Sequence, residues 1–127
     1  MITDVKKFWV PFYVPLLHMN RAYKLIQLPN GINVVIISDA EENYNSCSLT
    51  VAAGSHNDPA TVPGLAHLCE HMILAAGSSN HPTPGLFHSL IAKYNGDMNA
   101  YTTGEQTSFY FQVPQVANSE GLSLIHI

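Results

Sequence analysis

The chain has 127 residues, of which 46% are hydrophobic and 11% are charged, and its formal net charge is −4. This length suits one modest domain or part of one, and the composition is typical of a folded protein rather than a disordered one. Only five lysines and arginines are present, too few for the basic surface that a nucleic-acid backbone requires, so we expect no nucleic-acid partner.

Residues 1–19 are predicted to form an N-terminal arm. Their apolar run superficially resembles a secretory signal, which is the alternative, but Pro11, Pro15 and the lack of a small-residue cleavage site argue against it. No stretch reaches the roughly 20 apolar residues of a membrane span, so none is expected. The two cysteines lack the spacing of a disulfide framework or a zinc knuckle, which favours a reducing compartment and a cytoplasmic location.

The first predicted elements are strands. Residues 23–28 and 32–39 flank Pro29-Asn30-Gly31, which is typical of a β-hairpin turn. A polar loop over residues 41–45 is predicted to lead into a strand over residues 47–53, where apolar residues alternate with polar or small ones.

Two helices are predicted next, each opened by a proline and closed by a glycine. The first covers residues 64–76 between Pro63 and Gly77, and the second covers residues 84–94. The first is apolar on nearly all sides, so we expect it to be buried.

A second hairpin is predicted over residues 98–103 and 107–113. The element order ββ, β, α, α, ββ predicts an α+β fold in which an antiparallel sheet carries helices packed on one face.

The last six residues, 122–127, read as the translation of CTGTCTCTTATACACATC, a mosaic-end adapter of transposase-based sequencing libraries. We predict that they are a sequencing-adapter artefact and that the natural chain continues beyond Gly121; an ordinary apolar tail is the alternative.

The first predicted helix contains the sequence His67-Leu68-Cys69-Glu70-His71. At about 100° per residue, His67, Glu70 and His71 share one face. Burying a carboxylate and two imidazoles is costly unless they are paired or bind a metal. Two imidazoles one helical turn apart can hold Zn²⁺, a third side chain must complete the site, and a neighbouring carboxylate can act as general base. We therefore predict His67 and His71 as zinc ligands and Glu70 as the catalytic base; chance occurrence and a purely structural zinc site are the alternatives.

This motif and its surroundings resemble peptidase family M16, the inverzincin peptidases of the insulin-degrading enzyme type. The matching segments, in order, are NRAYK at 20–24, the PNG turn with ISD at 37–39, GSHNDP at 54–59, GLAHLCEHM at 64–72 and NAYTTGE at 99–105. The resemblance covers residues 20–114 and implies a partial N-terminal peptidase domain over residues 20–121.

The resemblance also implies a substrate and a place for it. Asn99 and Ala100 would lie on an edge strand that holds an extended peptide by backbone pairing, with Tyr101 near the pocket for a residue beside the scissile bond. A plain hairpin strand is the alternative. The implied activity is that of a zinc metalloendopeptidase that hydrolyses peptides, such as a pheromone precursor, inside an enclosing chamber.

The sequence departs from the family pattern at the third zinc ligand. In the family this ligand is a glutamate on a helix farther along than these 127 residues extend, and the only acid after the second hairpin is Glu120. We therefore expect the fragment alone to be inactive. A non-catalytic structural or interaction protein on the same scaffold is the main alternative, and a mitochondrial processing-peptidase subunit is a weaker one, because the N-terminus is unlike a transit peptide.

Overall fold

The computed structural model describes residues 21–115. The predicted N-terminal arm and the predicted adapter segment lie outside these residues. The chain divides into two compact units, Met1–Glu42 and Asn43–Ile127.

The first unit contains the predicted hairpin. Strands β1 (Arg21–Gln27) and β2 (Asn33–Asp39) pair antiparallel from Arg21↔Asp39 to Gln27↔Asn33. At the open end, Arg21 Nε donates a hydrogen bond to Asp39 Oδ2 at 2.6 Å, and this bond raises the pKa of Arg21. The ion pair joins the first cross-strand residues and so fixes the register at the end farthest from the turn.

The second unit is a three-stranded antiparallel sheet with two helices, and it confirms the predicted α+β fold. Its elements are β3 (Tyr44–Val51), a 3₁₀ turn (Ser55–Asn57), α1 (Leu65–Ala75), α2 (Leu86–Lys93), β4 (Asp97–Thr102) and β5 (Thr107–Pro114). The strand order is β3-β5-β4, so the hairpin partner of β4 lies at the centre.

Both helices pack on one face of this sheet. Side chains alternate along a strand, and Met98 pairs with Phe111, so Met98, Thr102 and Phe111 project to the same side. The Phe87 ring of α2 meets Phe111 edge to face, with ring centroids 5.4 Å apart. The buried apolar residues of the described chain are Ile91 and Val113, and they lie in this layer.

Each helix begins two residues after the proline that was predicted to open it. Gly64 and Gly85 stand before the first helical residues with φ of 89° and 69°. A proline followed by a glycine with positive φ is typical of a type II turn, and at α2 the Leu86 amide closes this turn on the Thr83 carbonyl at 3.3 Å. The helices therefore start later than residues 64 and 84, because each Pro-Gly pair forms a turn.

Strand β3 begins earlier than predicted. Tyr44 and Asn45, assigned to a polar loop, pair with Pro114 and Val113 of β5. Backbone pairing to a strand far along the chain does not depend on alternating polarity, so the local pattern could not show it.

The prediction that the first helix is buried, because it is apolar on nearly all sides, is wrong for the described residues. Glu70 is its only buried residue, whereas Leu68, Met72 and Ile73 are 56%, 55% and 64% exposed. Within residues 43–115 the sheet covers one side of α1 and leaves the opposite side open. Neither helix of the described chain is long and apolar enough to cross a membrane.

Candidate metal centre and peptide-binding edge

The helix that carries the motif is anchored from outside at its first turn. Gly64 has no side chain with which to cap α1, and Asp58 does so instead. Asp58 Oδ2 accepts a hydrogen bond from the Gly64 amide at 2.7 Å, and Oδ1 accepts one from the Ala66 amide at 2.8 Å. A carboxylate at this end satisfies amides that the helix cannot pair and is favoured by the helix dipole.

His67 and His71 lie one turn apart on α1 and converge. Their Nε2 atoms are 3.0 Å apart, their ring centroids are 4.6 Å apart and their planes differ by 37°. Two imidazole nitrogens bound to one tetrahedral Zn²⁺ at about 2.0–2.1 Å are separated by roughly 3.3 Å. Both side chains are exposed, so a small ring movement brings the pair to a spacing that fits a single metal ion.

The described residues bring together two candidate zinc ligands and not three. Within residues 21–115, no group of three His, Cys, Asp or Glu side chains is placed to hold a metal ion. Cys69, next to Glu70 in the motif, is exposed and free, and so is Cys47. The third ligand therefore has to come from outside this part of the chain if the histidine pair binds zinc.

Glu70 lies against the sheet. Its residue is 5% exposed, and Thr102 Oγ1 on β4 donates a hydrogen bond to its Oε2 at 2.5 Å. Sequence reasoning did not find Thr102, because this contact joins residues 32 positions apart. The available signal was the period of two along the strand, which places Thr102 on the same face of β4 as Ala100.

Asn99 and Ala100 lie on β4, an edge strand of the sheet formed by residues 43–115. The Ala100 amide donates a hydrogen bond to Asn99 Oδ1 at 2.9 Å. Among the described residues, this amide does not pair with another strand. It can donate a hydrogen bond to an added strand once the Asn99 side chain moves. The binding of a peptide here stays a prediction.

Tyr101 projects from the other face of the sheet, since it stands between two residues that face the helices. It is 45% exposed, its hydroxyl accepts a hydrogen bond from Gln106 Nε2 at 3.4 Å, and its ring centroid is 6.4 Å from that of Tyr110. Its predicted place beside a substrate side chain also stays a prediction.

Residues 33–123 match the family described as Insulinase (Peptidase family M16). The chain belongs to peptidase family M16. The resemblance given by the segments around His67-Leu-Cys-Glu-His71 is thus confirmed.

Several members of the M16 family are similar to this chain over most of its length. The Saccharomyces cerevisiae protein named "Putative protease AXL1" is 58% identical over 118 residues, which are 93% of this chain and 10% of that protein. The A-factor-processing enzyme of the same yeast is 36% identical over 113 residues, or 89% of this chain and 11% of the enzyme. The Mus musculus insulin-degrading enzyme is 40% identical over 93 residues, or 73% of this chain and 9% of the enzyme.

A solved M16 structure has the same fold. The crystal structure of pitrilysin superposes with a TM-score of 0.73 at 36% identity, over 76% of this chain and 10% of pitrilysin. The chain therefore spans about a tenth of the length of the relatives it matches.

Proposed function

We propose that this chain is part of a zinc metalloendopeptidase in which His67 and His71 hold the metal and Glu70 is the general base. The observation that carries the proposal is the pair of Nε2 atoms 3.0 Å apart on the helix that also carries a buried carboxylate. Membership of a peptidase family supports it. Zinc bound at the pair would supply a Lewis acid that polarises a peptide carbonyl and makes a water nucleophilic near neutral pH.

The residues of this chain would transfer the proton and bind the peptide. Glu70 accepts a proton from the attacking water and returns it to the leaving amine, which is the general acid–base role of a positioned carboxylate. An extended peptide pairs along the open edge of β4, where the Ala100 amide becomes a donor to it when Asn99 Oδ1 moves aside. Tyr101 lies beside the adjacent substrate side chain.

In this proposal, the other parts of the enzyme lie outside the described residues. A longer protein supplies the third ligand, a glutamate, and the chamber walls, and it covers the apolar outer side of α1. Residues 20–121 are the first part of its peptidase domain and residues 1–19 are an arm. A chamber suits small peptides, and we propose that the substrates are peptides of the pheromone-precursor kind, cleaved in the cytoplasm. Similarity to a protein named A-factor-processing enzyme supports a processing role.

The test uses the full-length protein and an internally quenched peptide substrate. Glu70→Gln should lower kcat by about 10²–10⁴-fold, the usual contribution of a general base, while bound zinc stays at the wild-type level. Glu105→Gln, which changes an exposed glutamate in the β4–β5 turn, is the matched control and should leave kcat unchanged. Cleavage that persists both in the Glu70 variant and after chelation would refute the mechanism. A wild-type protein that binds no zinc when zinc is supplied and cleaves nothing would instead favour a non-catalytic scaffold.

A further inference from the structure

The hydrogen bonding around Glu70 identifies one oxygen that is fixed and one that is free. Oε2 accepts the bond from Thr102 Oγ1. No residue within 21–115 bonds Oε1, and none of the buried side-chain oxygens in this part of the chain lacks a partner. Oε1 therefore reaches the surface of the described chain, whereas Oε2 is held against β4.

The direction of the Thr102 bond follows from its neighbours. Thr107 is the cross-strand partner of Thr102, and its hydroxyl donates to the Ala53 carbonyl at 2.8 Å. That carbonyl can only accept, so the single hydroxyl proton of Thr107 is committed there. The Thr102 proton is free to point at Glu70, and an ionised carboxylate can only accept it.

The strand that carries Thr102 is also the proposed peptide edge. Thr102 lies two residues after Ala100 on β4, so the backbone that would pair with a substrate and the hydroxyl that holds Glu70 belong to the same strand. Deleting the hydroxyl leaves Oε2 buried without a partner, which is unfavourable for a charged group. The carboxylate can then relieve this by rotating away from β4.

We propose that Thr102 is a positioning residue, which fixes the Glu70 carboxylate through Oε2 so that Oε1 faces the reacting water. The proposal rests on the proposed function, because it concerns the same base. It adds a residue of β4 to the machinery and links the orientation of the base to the strand that forms the proposed peptide-binding edge.

The test compares hydroxyl-bearing and hydroxyl-free side chains at position 102 in the full-length protein. Thr102→Val keeps the branched shape and should lower kcat by about 10–100-fold, the loss typical of removing an outer hydrogen-bond partner, with KM and bound zinc unchanged. Thr102→Ser should restore kcat to within a few-fold of wild type. Thr50→Val removes another strand hydroxyl, which is 2.8 Å from Ser108 Oγ, and should leave kcat unchanged.

A structural role alone predicts different results. Wild-type kcat in Thr102→Val, or equal losses in the Val and Ser variants, would overturn the proposal. If the Val variant does not fold, Thr102→Ala against Thr102→Ser makes the same comparison. In a Glu70→Gln background, Thr102→Val should lower the residual rate little further, and a full additional loss would also overturn the proposal. Failure of the proposed function itself is separate, since Glu70→Gln would then cleave like the wild type.

Discussion

At the scale of single residues, the candidate site combines a local pair and a distant contact. His67 and His71 are four positions apart on one helix, so their proximity follows from helix geometry and could be predicted from the sequence. The partner of Glu70 could not, because the bond to Thr102 requires α1 to lie on β4. A charged residue on an apolar helix indicates that a partner is needed without saying which residue provides it.

Replacing either histidine should remove the metal. We expect His67→Ala and His71→Ala each to weaken zinc binding by the full-length protein more than about a hundredfold, beyond the loss caused by removing an outer partner. Zinc content after dialysis against a weak chelator measures this. His88→Ala, which changes an exposed histidine on α2, should keep its zinc, and equal losses in all three variants would contradict the assignment of the pair.

At the scale of elements, the sequence predicted which segments are helix and strand better than where they begin. Periodicity and the Pro and Gly signals identified both helices and both hairpins, because these depend on local chemistry. The onset of β3 at Tyr44 depends on pairing with β5, and the exposure of Met72 on α1 depends on which surfaces cover the helix. Neither is encoded within a few residues of the feature.

The start of α1 provides a prediction for Asp58. Asp58→Ala removes both acceptors from the Gly64 and Ala66 amides, which should destabilise the helix start by about 1 kcal/mol. Hydrogen exchange of the full-length protein should show faster exchange at these amides. Asp97→Ala, at an exposed position on β4, is the control, and unchanged exchange in α1 of the Asp58 variant would mean that the cap contributes nothing.

The Pro-Gly turn before α1 provides a second prediction for this element. Gly64 has a φ of 89°. An alanine residue adopts this left-handed backbone conformation at a cost of about 1–2 kcal/mol. Gly64→Ala should therefore lower the Tm of the full-length protein, and Gly64→Asn should lower it less, because asparagine tolerates this conformation better. Equal effects of the two substitutions would show that the backbone conformation is not the cause.

At the scale of the whole molecule, the proposed zinc site requires a third ligand from outside the described residues. The 127-residue chain alone should bind zinc more weakly than the full-length protein by at least about tenfold, because two ligands replace three, and should show no measurable cleavage. Competition with a chelating dye measures the zinc affinity of the 127-residue chain and of the full-length protein. Equal affinities would show that the histidine pair needs no further ligand.

The genomic reading frame tests the predicted artefact and the missing ligand together. Past Gly121 it should encode residues other than the six found at 122–127 and should later provide a glutamate on a predicted helix. Sequencing the uninterrupted gene is sufficient. A stop codon directly after Ile127 would contradict both expectations.

The place of β5 in the sheet has a consequence for the order of assembly during synthesis. This strand is the last of the described strands to be made, yet both β3 and β4 pair with it. Until β5 emerges from the ribosome, β3 has no neighbour in this sheet, and the sheet surface on which α1 packs is incomplete. Such long-range pairing is slow to form. The histidine pair needs only one turn of helix, so the nascent chain can bring His67 and His71 together before Glu70 meets Thr102.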